Sequence, residues 1–372
     1  MNKFCYDSLS QNIDSIAEHD ISNKKVFGSA YFVYHKGVEI EKCYGTRTLN
    51  SDVPVTNTTV FRLASMTKPI TSVATLILAE RGLLSLDDTV DRFLPGFKDI
   101  KIIDAFGNSS APEKLPTVKN ILTHSSGIGS CPEKLSRMTA DDKETLDSAI
   151  AFYLRSGLDF EPSSMQAYSP TGAFDVLTKI IELVTESDYL QFLNKEIFEP
   201  CGMCDTTFIP TPEQRARMID VNRIVDGENV VAKTPDNCVF GNIPCTHYLG
   251  GAGLASTLRD YCKFAKMLLC RGRTESSRIL SEESIRLLST PHFYKKENES
   301  WGLGVRVITE DTYPYLPKGS FGWSGAYGSH FWVDPSNELF AVFMKNSEVD
   351  GGAGNKSGKN FEKAVYTCDY SN

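Results

Sequence analysis

An α/β (α+β) sandwich is the fold class this sequence predicts: an antiparallel sheet built from both termini, flanked by helices, with an inserted all-helical subdomain. Two observations predict it. Strand-like runs occur near the two ends, at 29–44 and 302–345, and the stretch between about 85 and 245 reads as helices and loops. A chain that returns to strands after a long helical excursion assembles one sheet from its two ends. The expected division is therefore 1–84 and 246–372 for the sandwich and 85–245 for the insertion. The length, 372 residues, fits one large domain carrying an insertion.

Taken in order, residues 6–19 have the spacing of an amphipathic helix. The runs Ser29–Tyr34 and Val38–Tyr44 flank Lys36-Gly37, a hairpin signal. Ile70–Leu84 is nearly all apolar, with Arg81-Gly82 where a helix C-terminus favours a cation and a glycine. Such a helix belongs in the middle of a core. Helices are expected at 143–155, 172–185 and 188–197. Residues 205–248 are polar and irregular and read as an excursion. Further helices are expected at 257–271 and 282–289. Strands follow at Gly302–Ile308, at His330–Val333 with its approach from Phe321, and at Leu339–Lys345. A C-terminal helix is expected over 358–367.

Composition excludes several functions. With 39 Lys+Arg against 47 Asp+Glu the net charge is −8, which disfavours a nucleic-acid partner. No apolar run approaches the roughly 18–20 residues of a spanning helix, so no membrane partner is expected. Residues 1–20 lack the uninterrupted apolar segment of a secretory signal, and the expected location is cytoplasmic. The ten cysteines show no repeated interval, which predicts reduced, mostly buried thiols. Cys201 and Cys204 form the one close pair, without the further ligands a zinc site needs. Neither a metal nor a cofactor is expected, and the oligomeric state is not legible.

The chemistry is concentrated in Phe61-Arg-Leu-Ala-Ser65-Met-Thr-Lys68-Pro69. S-x-x-K alone is weak, and it recurs at Ser22–Lys25. Only the match at 65–68 sits at the mouth of the long apolar helix. Pro69 is tolerated only in a helix's first turn, so the helix cannot start much before Ser65. Ser65 and its N–H then lie at the positive end of the macrodipole, where an oxyanion is favoured. Lys68, three residues on, shares a face with Ser65. The dipole repels its charge, and the neutral amine is the form that can take a serine proton. On this stretch alone a bland alternative stands, with Ser65 an N-cap and Lys68 a surface cation. Other serine chemistries lack anchors. G-x-S-x-G does not occur, and His124, in LTHSSG, reads as a local hydrogen-bonding residue rather than a triad base.

These residues, with ILTHSSGI, AYSPTGAFDVLTKIIE, IFEPCGMCDTTF, GGAGLASTLRDYCKF and FGWSGAYGSHFWVDPSNELFAVFMKN in that order, resemble the serine β-lactamase-like superfamily. The likeness is to the branch holding class C β-lactamases, D,D-peptidases, β-lactamase-like carboxylesterases and acyltransferases, and covers about residues 25–346. It implies a β-lactamase/transpeptidase-like fold. By resemblance Ser65 is the acylated nucleophile, Lys68 its proton acceptor and Tyr168 the tyrosine of the Y-x-N element. Trp323-Ser324-Gly325 takes the place of Lys-Thr-Gly in substrate binding, and the N–H groups of Ser65 and Ala326 form the oxyanion hole.

Two departures shape the expected substrate. Pro170 replaces the asparagine of Y-x-N, removing a side-chain amide. Trp323 replaces a lysine, removing a charge-assisted contact to a carboxylate that can be worth about 1.5–3 kcal/mol. Both tilt the expectation toward a carboxylesterase acting on small or hydrophobic acyl esters. The alternatives are an amide hydrolase of the β-lactamase or D-aminopeptidase type, acyl transfer to an alcohol, and a β-lactam-binding protein that stays acylated.

Overall fold

The computed structural model describes residues 5–232, 247–296, 298–312 and 314–367. The expected boundary at 245/246, part of the 205–248 excursion, and Cys238, Cys245 and Cys368 lie outside the described residues.

Eight strands form the main sheet: β1 (Gly28–His35), β2 (Val38–Gly45), β3 (Phe293–Lys296), β4 (Glu299–Trp301), β5 (Arg306–Ile308), β6 (Phe321–Ser324), β7 (His330–Asp334) and β8 (Leu339–Met344). Their order across the sheet is β2-β1-β8-β7-β6-β5-β4-β3, antiparallel throughout. The two chain ends meet where β1 pairs with β8, from Ala30 opposite Met344 to His35 opposite Leu339.

β8 and most of β1 are buried on both faces, which explains their largely apolar sequences. Phe340, Val342 and Met344 of β8 join the larger core with Ala30 and Phe32 of β1. Leu339, Ala341 and Phe343 face the other way with Tyr31 and Val33. Helices α1 (Tyr6–Ser22) and α7 (Lys356–Thr367) cover this second face with Leu9, Ile13, Phe361 and Val365. The first face carries α2 (Lys68–Glu80) and α5 (Leu258–Leu269), whose N-cap Thr257 accepts from the Asp260 N–H. Every residue of α2 from Lys68 to Leu78 is buried, as expected of a helix apolar on most faces.

The middle of the chain supplies α3 (Leu146–Ser156) and α4 (Gly172–Thr185), and α6 (Glu282–Leu288) follows α5, all close to expectation. The segment expected to be all helical also holds two short ribbons, Ile102–Ile103 with Ser109–Ser110 and Asn222–Val225 with Glu228–Val231. The expected excursion at 205–248 is corrected in its described part. Bridges from Thr207 to Ala255, Met218 to Val60 and Asn222 to Ser347 tie it to the sandwich. The expected strand 302–308 is shorter, because Gly302–Val305 makes the turn into β5. Strands β3 and β4 were not anticipated, since their polar residues carry no alternation.

The cysteine expectation is also corrected. The seven described thiols are free, but only Cys201 and Cys262 are buried; Cys204 and Cys270 are exposed. Both exposed ones sit just beyond a helix end, Cys204 after Gly202 and Cys270 at the C-cap of α5.

A glycine-rich segment, Gly351–Gly354, is fixed by a buried ion pair. Lys345 Nζ lies 3.0 Å from Asp350 Oδ2 and is fully buried. Burial works against the ionised Asp350 carboxyl, yet the Lys345 charge and the Ser357 hydroxyl and N–H hold it well below the usual carboxylate range. Asp350→Asn is expected to cost about 3 kcal/mol, because it strands a buried ammonium. A carboxyl depressed in the folded state stabilises above its unfolded value, near pH 4, and that contribution drains away below it. Urea unfolding of both proteins at pH 7 and near pH 3.5 reads this: the deficit should narrow on acidification. A deficit independent of pH would refute the ionic origin.

Candidate active site

The strand pair Val60–Arg62 with Ala255–Thr257 delivers the chain to a short 3₁₀ turn, Ala64–Thr67, which runs directly into α2. In a 3₁₀ turn residues three apart are eclipsed, so Ser65 stacks over Lys68. Ala64 holds φ +45°, a left-handed conformation costly for a residue with a Cβ. That strain sits one residue before Ser65.

Lys68 is fully buried, and its ammonium uses three acceptors. Nζ lies 2.7 Å from the Pro170 carbonyl, 2.9 Å from the Gly251 carbonyl and 3.5 Å from Ser65 Oγ. The backbone of Pro170 thus supplies a lysine contact that its side chain cannot. Gly251 permits the approach, since a Cβ there would stand 3.2 Å from Nζ and 3.0 Å from Pro170 O.

Tyr168 OH lies 2.6 Å from Ser65 Oγ, the shortest contact the serine makes. Its ring is bracketed by His124, Trp301 and Trp323, with centroids 4.6, 6.0 and 5.4 Å away. His124 also clamps the flanking backbone: its carbonyl accepts from the Ala167 N–H, and its Nδ1 accepts from the Ser169 N–H at 3.2 Å. In α4's first turn, burial pushes the Asp175 carboxyl up to about 7, against the Tyr153 hydroxyl bonded to it and the Lys68 charge.

Trp323 does more than fill space. Its indole Nε1–H donates to Tyr168 OH at 3.3 Å. Trp323→Phe keeps an aromatic ring and removes that donor. The expected result is about a three- to tenfold fall in kcat with KM little changed, the worth of one hydrogen bond. A raised KM with unchanged kcat in steady-state ester hydrolysis would show that Trp323 only packs against substrate.

At the end of β6 the chain turns through Gly325 and Ala326. A Cβ on Gly325 would lie 2.4 Å from the Leu63 carbonyl, so only glycine lets this turn press against the Ser65 segment. The Ala326 carbonyl accepts from the Gly352 N–H at 2.9 Å, which ties the Asp350-anchored segment to the same turn.

Ser65, Tyr168, Trp323, Ser324, Gly325 and Ala326 all line one cavity of about 620 Å³. All the residues singled out in the sequence therefore come together, with Lys68 directly behind Ser65. Trp301, Arg306 and Lys359 line it as well and were missed. Arg306 faces Glu299 and Glu362 (3.5 and 3.3 Å), and Lys359 reaches Glu362 at 2.7 Å. Both cations in the wall are thus paired. Among the described residues no cluster of three or more His, Cys, Asp or Glu is placed to hold a metal ion.

The family model described as beta-lactamase matches residues 13–360. Esterase EstB of Burkholderia gladioli is 25% identical over 376 residues, covering 93% of each chain. Lovastatin esterase of Penicillium rubens is 26% identical over 355 residues, covering 84% of each. Among solved structures, that of "EstCE1, a hydrolase with promiscuous acyltransferase activity" superposes with a TM-score of 0.83 at 23% identity, covering 97% of this chain and 99% of that one.

Proposed function

The chain belongs to the beta-lactamase family, and from that premise we propose that it is a serine carboxylesterase acting on small or hydrophobic acyl esters through an acyl-Ser65 intermediate. One observation carries the reading: in an aromatic-walled cavity, Ser65 Oγ sits 2.6 Å from a tyrosine hydroxyl with a buried ammonium behind both. Ser65 attacks the ester carbonyl. The short Tyr168 contact, and the engagement of all three Lys68 donors, support Tyr168 as the group that takes the serine proton. Lys68 then stabilises the phenolate by its charge, and Tyr168 returns the proton to the departing alcohol. The N–H groups of Ser65 and Ala326 serve as donors to the oxyanion. Water, or an alcohol in its place, releases the acyl group.

Ester over amide is supported by the esterase relatives and by the cavity wall. Its two cations are consumed by Glu299 and Glu362, which leaves aromatic surface rather than a free charge for a carboxylate. The test is p-nitrophenyl butyrate turnover, with intact-mass and peptide mapping of the quenched enzyme. Turnover with butyryl on the Ser65 peptide is expected; turnover without acylation there overturns the mechanism. No helix among the described residues is long and apolar enough to cross a membrane. The seven thiols among the described residues, all free, support a reducing, cytoplasmic setting.

A further inference from the structure

A second serine reaches the same cavity with a different set of partners. Ser324 of β6 lies opposite His330 of β7 in the ladder, and its Oγ is 2.8 Å from His330 Nδ1. His330 Nε2 is 3.0 Å from Glu362 Oε1, on α7. All three residues are at most 5% exposed. The remaining charged groups facing this chain are Arg306 on β5 and Lys359 on α7, both directed at Glu362.

The direction of each hydrogen bond follows from the carboxylate. Burial opposes the charge on Glu362, but the His330 bond and the Arg306 and Lys359 charges hold its carboxyl below the usual carboxylate range. It is therefore an acceptor only, and the proton between it and His330 belongs to Nε2. Burial keeps the imidazole neutral by holding it below its ordinary range. Nδ1 is then a bare acceptor, and the hydrogen on the Ser324–Nδ1 contact must come from the serine. No donor among the described residues reaches Ser324 Oγ, and Ser324 lines the cavity.

We propose that Ser324 is a specificity-determining residue that offers the pocket an oxygen able only to accept, so that the preferred ester carries a hydroxyl or N–H positioned to donate to it. A carboxylate or ether oxygen placed there meets lone pairs instead of a proton. A site built around such a hydrogen bond rejects an analogue that cannot make it more strongly than an apolar pocket would. The inference rests on the esterase reading and sharpens its substrate class from hydrophobic esters to hydroxylated or amide-bearing ones.

The test measures kcat/KM for matched pairs: p-nitrophenyl esters of 2-, 3- and 4-hydroxyalkanoic acids against their methyl ethers, and 2-hydroxyethyl against 2-methoxyethyl butyrate. In the native enzyme at least one pair should favour the hydroxyl by about tenfold. In Ser324→Ala that ratio should collapse to within about threefold. Because the ratio is taken within each protein, a general loss of rate does not obscure it. Ser324→Thr provides the second arm: it keeps a hydroxyl that can donate to His330 Nδ1, so the preference should persist. If no pair shows a preference, if Ser324→Ala retains it, or if Ser324→Thr loses it, the inference is overturned. Acylation of Ser65 followed in the same reactions shows separately whether the esterase reading stands.

Discussion

Ser65→Ala is expected to lower ester turnover by at least about 10⁴-fold, and to abolish the butyryl adduct in the intact mass. The magnitude follows from what is lost. Removing the nucleophile of an acyl-enzyme mechanism leaves only binding and oxyanion stabilisation, and losses of about 10⁴–10⁶ are typical. Folding should be untouched, since the change removes one oxygen from a residue 7% exposed at the cavity wall. Tyr168 OH loses its 2.6 Å partner but keeps the Trp323 indole donor. Circular dichroism and the thermal midpoint should therefore match the parent. A variant that keeps a tenth of the activity would mean another group attacks, and the Ser65 mechanism would be abandoned.

Tyr168→Phe is expected to cost about 10²–10⁴ in kcat, the usual worth of a positioned proton carrier. The size should depend on the leaving group. A nitrophenolate departs without help, so aryl esters feel only the loss of proton removal from Ser65. An alkoxide must be protonated as it leaves, so alkyl esters lose both contributions. The ratio of parent to variant should therefore be larger for ethyl butyrate than for p-nitrophenyl butyrate, as measured by titration of released acid. Equal losses on the two substrates would place Tyr168 in orientation rather than proton transfer. The aromatic bracket of His124, Trp301 and Trp323 should hold the phenylalanine ring in place, which keeps the comparison free of gross rearrangement.

The Ser65 segment was legible because its physics is local. Pro69 pins the start of a helix, Ser65 and Lys68 follow from spacing, and the apolar run after them announces burial. Helices such as α4 were legible for the same reason, from periodicity alone. Trp323 and Pro170 were legible as departures, but not for what they do. An indole that donates to Tyr168, and a proline carbonyl that accepts from Lys68, are consequences of how distant segments meet. Trp301, Arg306, His330 and Glu362 were missed for that reason too. Glu362 looks like an ordinary residue of a polar C-terminal helix, and only the packing of α7 on the sheet makes it the anchor of a buried chain. His124 was read as a local hydrogen-bonding residue, and its grip on both sides of Tyr168 shows how far that locality extends in three dimensions.

The meeting of the chain ends in one sheet has a consequence for how the protein is made. The β1–β2 hairpin leaves the ribosome long before β8, its partner across the sheet. At synthesis rates of about 5–20 residues per second, that interval is roughly 15–60 s. Throughout it the inner edge of β1 offers unpaired N–H and C=O groups, the surface most prone to pairing with another nascent chain. The Ser65 turn waits as well, since the β6 end that presses against it is also made late. A ribosome-bound chain stalled before residue 320 would carry every atom of Ser65, Lys68 and Tyr168 and still lack an enzyme.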